Sequence, residues 1–304
     1  MTEGVEQKCG FVAILGAPNA GKSTLLNALV GNKVSIVSPK PQTTRSRVLG
    51  ILIEGGSQII LVDTPGIFRP RRRLDRAMVS AAWQGAADAD QTMLLVDASQ
   101  KNAVADAQPL LERLEKAGRK AVLVLNKIDL VPKGRLLELT AALNRTGLFT
   151  DTLMISALTG DGIGQLKQYL AQRMRPGPWL FPEDQISDMP MRLLAAEVTR
   201  EKLFLQLHEE LPYAMMVETE TWEEQDNGSV RIGQIICVTR DNHRAIVLGQ
   251  GGQRIKAIGI AARKELEQIL ERPVHLALHV KVRKDWMEKS AWYVAWGLDF
   301  NAQE

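Results

Sequence analysis

Gly16 to Thr24 reads Gly-Ala-Pro-Asn-Ala-Gly-Lys-Ser-Thr and fits the Gly-x-x-x-x-Gly-Lys-Ser/Thr pattern of a phosphate-binding loop, or P-loop. With glycine at roughly 7% of residues, composition alone would match the four fixed positions in about one chain in a hundred of this length. Each residue type has its own chemistry. Gly16 and Gly21 permit backbone torsions that turn N–H groups inward around phosphates, where the following helix adds its partial positive charge. Lys22 is expected to reach the β- and γ-phosphates, and the Ser23 hydroxyl to ligate Mg²⁺. Asn19, Ala20 and Thr24 complete the expected binding loop.

Further groups of the right type follow in order. The polar loop Pro41-Gln-Thr-Thr-Arg-Ser-Arg47 offers Thr44, with Thr43 second, as a hydroxyl that completes the Mg²⁺ shell while a γ-phosphate is present. The apolar run Ile59-Ile-Leu-Val ends in Asp63-Thr-Pro-Gly66. Asp63 is expected to act on Mg²⁺ through water, and Gly66 to present an unhindered N–H to the γ-phosphate. Another apolar run, Ala121-Val-Leu-Val-Leu, leads into Asn126-Lys127-Ile-Asp129. The Asp129 carboxylate can accept both N1–H and the N2 amine of guanine; adenine lacks that donor pair and is rejected. Ser156-Ala157-Leu158 closes the set, with its backbone expected near guanine O6. The ligands are therefore GTP and GDP with Mg²⁺, and Lys22, Thr44, Asp63 and Gly66 are the expected catalytic group. Ile67 stands where a Ras-like enzyme has its water-orienting Gln, so Thr44, backbone groups or a bound cation must position the water. The neighbouring run of Arg69 and Arg71 to Arg73 reads as a solvated loop.

Taken together these motifs resemble the translation-factor-related GTPases. The apolar Ile67 resembles the subgroup in which a hydrophobic residue replaces the catalytic Gln. That resemblance implies a role for Asn19 in binding a K⁺ ion that assists hydrolysis.

The elements that must position these groups alternate. Apolar strands are read at 11–15, 48–54, 58–62, 92–97, 121–125 and 152–155, with helices between most of them. That pattern predicts an α/β domain with a mostly parallel sheet and ligands at the strands' carboxyl ends. The proline-rich stretch 175–190 predicts an extended, semi-rigid connector, dividing a GTPase domain at 1–180 from a second domain at 181–304. The second domain reads helix (191–208), strand (213–222), strand (230–239), short helix (245–248), glycine turn, helix (253–270), strand (274–283) and a helix-like end at 285–296. The turn Gly249-Gln250-Gly251-Gly252 lets the backbone approach a sugar-phosphate chain, and Arg254, Ile255, Lys256 and Arg263 follow within reach of it. Val247 to Lys256 resembles the core of a bacterial-type KH domain, an α+β RNA-binding fold.

Composition narrows the class further. The chain has 304 residues, 45% hydrophobic and 24% charged, with net charge +3. Residues 1–180 carry 23 basic against 15 acidic residues, 181–230 carry 3 against 12, and 231–304 carry 12 against 8. A polyanion is therefore expected at the last seventy-odd residues or at the first domain. Two cysteines without ligand spacing, no membrane-length apolar run and no presequence predict a reduced, cytoplasmic protein. Trp286, Trp292, Tyr293 and Trp296 are expected to pack the last helix onto its domain.

The union of the two domains resembles bacterial small-subunit ribosome-assembly GTPases over essentially the whole chain. The resemblance implies binding of 16S rRNA near its 3′ end, action on the 30S subunit as a monomer, and peripheral association with the inner membrane. Hydrolysis is expected to time RNA binding. The competing reading is a GTP-gated RNA chaperone or anchor in which hydrolysis is incidental; a tRNA-modifying enzyme is disfavoured because no C-terminal catalytic Cys or cofactor motif is present.

Overall fold

The computed structural model describes residues 7–40, 44–45, 47–66, 70, 72–207 and 211–302. The chain divides into two compact units. One comprises Met1–Ser35, Thr44–Asp188 and Trp296–Glu304, the other Ile36–Thr43 and Met189–Ala295.

In the first unit, strands and helices alternate as β1 (Lys8–Gly16), α1 (Lys22–Val30), β2 (Val48–Glu54), β3 (Ser57–Asp63), α2 (Arg73–Asp88), β4 (Gln91–Asp97), α3 (Ala103–Lys116), β5 (Ala121–Asn126), α4 (Lys133–Asn144), β6 (Phe149–Met154), α5 (Ile163–Gln172) and β7 (Arg175–Pro176). The sheet order is β2-β3-β1-β4-β5-β6, with β7 on the other half of β1's start. Pairing is parallel from β3 through β6, and β2 runs antiparallel to β3. β3 and β5 are buried along their whole length, as continuous apolar runs must be when helices cover both faces. Leu15, Leu94 and Leu123 of the sheet pack with Leu110 of α3 and Leu139 of α4 in one core. Each such leucine contributes about 1.5–3 kcal/mol on burial. Because β1 lies between β3 and β4, its carboxyl end falls where the chain changes sides of the sheet, the usual ligand position in such folds.

The 175–190 stretch, with bends at 180–181 and a turn at 183–184, is strapped to the sheet. Gln58, fully buried in β3, accepts the N–H groups of Leu180 (2.8 Å) and Phe181 (3.1 Å) on its Oε1 and donates through Nε2 to the Phe181 carbonyl (2.8 Å). Further on, Ser187 Oγ donates to the Leu49 carbonyl, and the Leu49 N–H donates to Asp188. A proline-rich segment has few donors of its own, so one internal amide can satisfy much of it.

The second unit holds α6 (Met191–Gln206), β8 (Met215–Glu224), β9 (Val230–Val238), α7 (Asp241–Leu248), α8 (Gln253–Leu270), β10 (Val274–Val282) and α9 (Ser290–Ala295). The sheet order is β10-β9-β8, parallel between β9 and β10 and antiparallel between β8 and β9. Leu203, Met215, Ile236, Val247 and Ile258 share one core, and Leu194, Val198, Ile232 and Leu266 a neighbouring one. The segment from Ile36 belongs to this unit: the Val37 N–H donates to Glu201 (2.7 Å), and Lys40 donates to the Phe204 and Leu207 carbonyls at the end of α6.

A continuous helix over 285–296 does not form. A short turn at Trp286–Glu288 gives way to extended backbone at Lys289 before α9 begins. Trp286 and Tyr293 are both buried, donating to the Ala214 and Met287 carbonyls. Those anchored aromatics override helical periodicity, and their burial agrees with the packing role expected of them.

Candidate functional site

The loop after β1 is shaped by close approach as much as by torsion. Asn19 and Gly21 have left-handed backbones, at φ 63° and 96°. A Cβ at Gly21 would lie 2.4 Å from the Asn126 amide nitrogen. Gly16 needs no unusual torsion; a Cβ there would meet the Leu95 carbonyl oxygen at 2.7 Å. Lys22 begins α1 almost fully buried, and its ammonium donates to the carbonyls of Gly16 (3.1 Å) and Ala17 (3.0 Å). Burial pushes its pKa down to about 8 from an ordinary 10.5, against the opposing pull of Asp63.

Three hydroxyls meet one carboxylate at the end of β3. Asp63 is fully buried, and its Oδ2 accepts from Ser23 (2.8 Å), Ser35 (3.1 Å) and Thr44 (3.4 Å), while Ser23 and Thr44 oxygens lie 2.9 Å apart. Oδ1 is buried with no hydrogen-bond partner. Burial raises the Asp63 pKa; Lys22 and the three hydroxyls work against that rise. A buried carboxylate with one oxygen unsatisfied, among hydroxyls that are good oxygen ligands, is the donor set a hard cation such as Mg²⁺ takes when nucleotide phosphates and water supply the rest. Among the described residues no group of three His, Cys, Asp or Glu could hold a metal ion. Gly66 sits under Pro18, whose atoms would lie 3.1–3.3 Å from an added Cβ. Thr43, Ile67, Arg69 and Arg71 lie outside the described residues.

At the end of β5, Asn126 works as a bracket. Its amide nitrogen donates to the Ala20 carbonyl (2.8 Å), and its oxygen accepts from the Ala157 N–H (3.0 Å), tying the P-loop to the loop after β6. The Ser156 N–H donates to the Asp161 carbonyl (2.9 Å), and Leu158 is exposed. Lys127 has a left-handed backbone at φ 64° and reaches Asp97 at 2.6 Å. Burial works against ionised Asp97, but donors from Lys127, Ser99 and Gln100 hold its pKa below the usual range. Asp129, two positions after Lys127, is exposed.

Sequence reasoning missed Asp97, Ser35 and Asn27 as members of this constellation. Asp97 had a readable signal: it ends β4 as Asp63 ends β3. A cavity of about 890 Å³ lies beside the P-loop between α2 and α3, lined by Asn19, Trp83, Asp97 and Arg113 among others; Lys22, Ser23 and Asp63 are not part of its wall.

In the second unit, α7 and α8 are joined by Gly249 (φ 71°, ψ 175°), Gln250, Gly251 (φ 57°) and Gly252 (φ 77°). Gln250 and Gly251 are exposed, as are Arg254 and Lys256, while Ile255 and Arg263 are half-buried. Arg254 donates to the Ile246 carbonyl (2.6 Å), which fixes it at the end of α7, and Arg263 pairs with Glu267 (3.3 Å). Ile246 and Ile260 stand exposed on the two helices beside the turn, apolar surface that the reading from charge alone did not single out.

The chain matches the family model of a 50S ribosome-binding GTPase over residues 11–127 and that of a KH domain over residues 210–287. It is 59% identical to GTPase Era of Rhizobium meliloti, covering 97% of this chain and 94% of that protein, and 58% identical to GTPase Era of Brucella suis, covering 98% and 96%. Among solved structures, Era of Aquifex aeolicus bound to GDP and AlF4⁻ is 40% identical, with a TM-score of 0.89 over 96% of this chain and 99% of that one. Era in complex with MgGDPNP and nucleotides 1506–1542 of 16S ribosomal RNA aligns at a TM-score of 0.87, also at 40% identity and with the same coverage. No helix among the described residues is long and apolar enough to cross a membrane. At 58–59% identity to these relatives over nearly its whole length, the chain belongs to the Era family of GTPases.

Proposed function

We propose that this protein is a GTP-timed RNA-binding factor: it binds GTP and Mg²⁺ in the first unit, hydrolyses GTP to GDP and phosphate, and binds small-subunit (16S) rRNA near its 3′ end through the second unit during 30S assembly. The observation that carries the reading is the convergence of Ser23, Thr44 and Ser35 on Asp63, whose other oxygen has no partner. Ser23 and Thr44 would hold Mg²⁺ directly, and Asp63 through water. Held there, Mg²⁺ would supply positive charge that offsets the negative charge of the nucleotide's phosphates. Lys22 adds a cation at the same phosphates, Gly66 aims a backbone N–H at the γ-phosphate, and Asp129 selects guanine through N1 and N2. The loop of Gly16, Asn19, Ala20, Gly21 and Thr24 wraps the phosphates, with Asn19 as the candidate for K⁺. Thr44 belongs to a loop whose ordering depends on that shell, so its release after hydrolysis is a change of shape that RNA affinity can follow.

For the RNA, Gly249 to Gly252 let the backbone approach phosphates, with Lys256, Arg254 and Arg263 adding charge and Ile255 an apolar contact. The relative solved with 16S nucleotides 1506–1542 supports this choice of RNA. Trp286, Tyr293 and Trp296 are buried and Trp292 is half-buried, which favours a cytoplasmic protein over one anchored through those side chains.

The test uses the full chain and a labelled RNA spanning the 3′ end of 16S rRNA, loaded with a non-hydrolysable GTP analogue or with GDP. Binding is expected to be at least tenfold tighter with the analogue. Gly252→Asp is expected to abolish it while single-turnover GTP hydrolysis persists. Equal affinity in both nucleotide states would refute the timer and leave an RNA anchor; retained affinity in Gly252→Asp would move the RNA site elsewhere.

A further inference from the structure

Of the three hydroxyls on Asp63, two belong to residues that the proposed Mg²⁺ site draws toward the cation. The third does not. Ser35 is 3% exposed and lies on the stem that follows α1, 28 positions from Asp63 in the chain, with its hydroxyl 3.1 Å from Oδ2. Its backbone is held independently of Thr44. Asn27, in the second half of α1, accepts the N–H groups of Val34 (2.9 Å) and Ser35 (3.0 Å) on Oδ1 and donates through Nδ2 to the Ser35 carbonyl (2.7 Å). One amide thus satisfies three backbone groups of the stem, and the stem in turn presents one hydroxyl to the carboxylate. The same helix carries Lys22 and Ser23 at its first turn.

From this arrangement we infer that Asn27 and Ser35 form a positioning relay for the Mg²⁺ site: Asn27 fixes the stem, and Ser35 holds Asp63 so that its unpartnered oxygen faces the cation's water shell. The inference rests on the proposed role of Asp63. A carboxylate in a buried site is useful only in one orientation, and a donor on one oxygen fixes both. When Ser23 and Thr44 turn to the cation, Ser35 is the hydroxyl that stays on Oδ2. It also stays when Thr44 leaves, so the carboxylate remains aimed after hydrolysis and through nucleotide exchange. Ser35 is the last residue of the first unit before the chain passes into Ile36–Thr43 of the second. The relay therefore lies at the point where the chain leaves the first unit.

The experiment measures release of a fluorescent GDP analogue from the full chain against Mg²⁺ concentration, with metal-free affinity in EDTA as the control on the nucleotide pocket. Ser35→Ala is expected to raise the Mg²⁺ midpoint about tenfold, the lower end of what loss of an outer-shell partner costs in metal affinity. Asn27→Ala is expected to raise it in the same direction. Ser35→Thr, which keeps the hydroxyl, is expected to restore the midpoint to within about threefold of the parent. A midpoint for Ser35→Ala within twofold of the parent overturns the relay, and so does a shift in Ser35→Thr as large as in Ser35→Ala, since packing would then be the cause. Should Ser35→Ala fail to fold, Ser35→Cys carries the same test with a weak donor of similar shape. Asp63→Ala is run alongside: no midpoint shift there refutes the Mg²⁺ site itself, whereas a shift there without one in Ser35→Ala refutes the relay alone.

Discussion

Lys22 is a cation whose charged state the fold opposes until a ligand arrives. Burial lowers its pKa to about 8 from 10.5. A group depressed in this way binds fewer protons folded than unfolded between those two values, so stability rises with pH across that window and the penalty is fully present below about pH 8. Phosphate oxygens beside the ammonium would reverse the shift, because an opposite charge favours the charged form. GDP binding without Mg²⁺ at pH 8.5 should therefore take up roughly three-quarters of a proton, from the distance between pH and pKa. At pH 6.5 it should take up almost none. Calorimetry in buffers of different ionisation enthalpy reads this directly, and Lys22→Ala should remove the uptake; an uptake near zero at pH 8.5 would contradict the buried-ammonium account. The position of Lys22 at the start of α1 was legible because its motif is contiguous, whereas its contacts with the Gly16 and Ala17 carbonyls were not. Ser35 and Asn27 were not, since a serine hydroxyl and an asparagine amide acquire meaning only from partners that folding brings to them. Asp97 lies between the two cases, readable as a strand end but with its Lys127 partner 30 positions away.

At the scale of elements, the glycine turn between α7 and α8 shows why identical residues in one motif have different weights. Gly249 has φ 71° and ψ 175°, a region open essentially to glycine alone, and a Cβ there would lie 2.7 Å from the Arg254 Cβ. Gly251 has φ 57° and ψ 21°, ordinary left-handed backbone, with open space where a Cβ would go. Gly249→Ala should cost about 2–3 kcal/mol from strain and contact, and Gly251→Ala about 1 kcal/mol from torsion. A unit of this size unfolding alone loses roughly 4 °C of melting temperature per kcal/mol, and less if the two units unfold together. Thermal unfolding of the full chain, followed by circular dichroism, should rank Gly249→Ala well below Gly251→Ala. Equal losses would mean that the turn relaxes and that its geometry is not specified by Gly249. Periodicity located α8 at its observed bounds and β1 to β6 within a few residues, because long apolar runs and a helical stripe are local signals. It missed the break at Lys289, which the hydrogen bonds of Trp286 and Tyr293 to distant and local carbonyls impose.

The whole molecule is divided differently from the way its sequence is divided. A proline-rich connector marks one boundary on the page, but the compact units exchange pieces of chain: Ile36–Thr43 belongs with the second unit, and Trp296–Glu304 with the first. Within the second unit, Glu201 holds the Val37 N–H and Lys40 caps the carbonyl end of α6. Within the first, Arg73 at the start of α2 lies 4.3 Å over the Phe300 ring, and Leu298 is 5% exposed. Each unit thus includes a segment whose chain neighbours lie in the other, and if those segments carry stability the two units should unfold together. No local pattern carries that information. Ligand linkage makes the consequence measurable, since GDP at about a hundred times its dissociation constant stabilises the folded chain by roughly 2.7 kcal/mol. If the units unfold together, Mg²⁺–GDP should raise a single calorimetric transition and should also slow hydrogen exchange at Ile235 and Ile236 of β9, both fully buried in the unit that does not bind nucleotide. Two transitions of which only one moves, with exchange in β9 unchanged, would show that the exchanged segments carry no stability between the units.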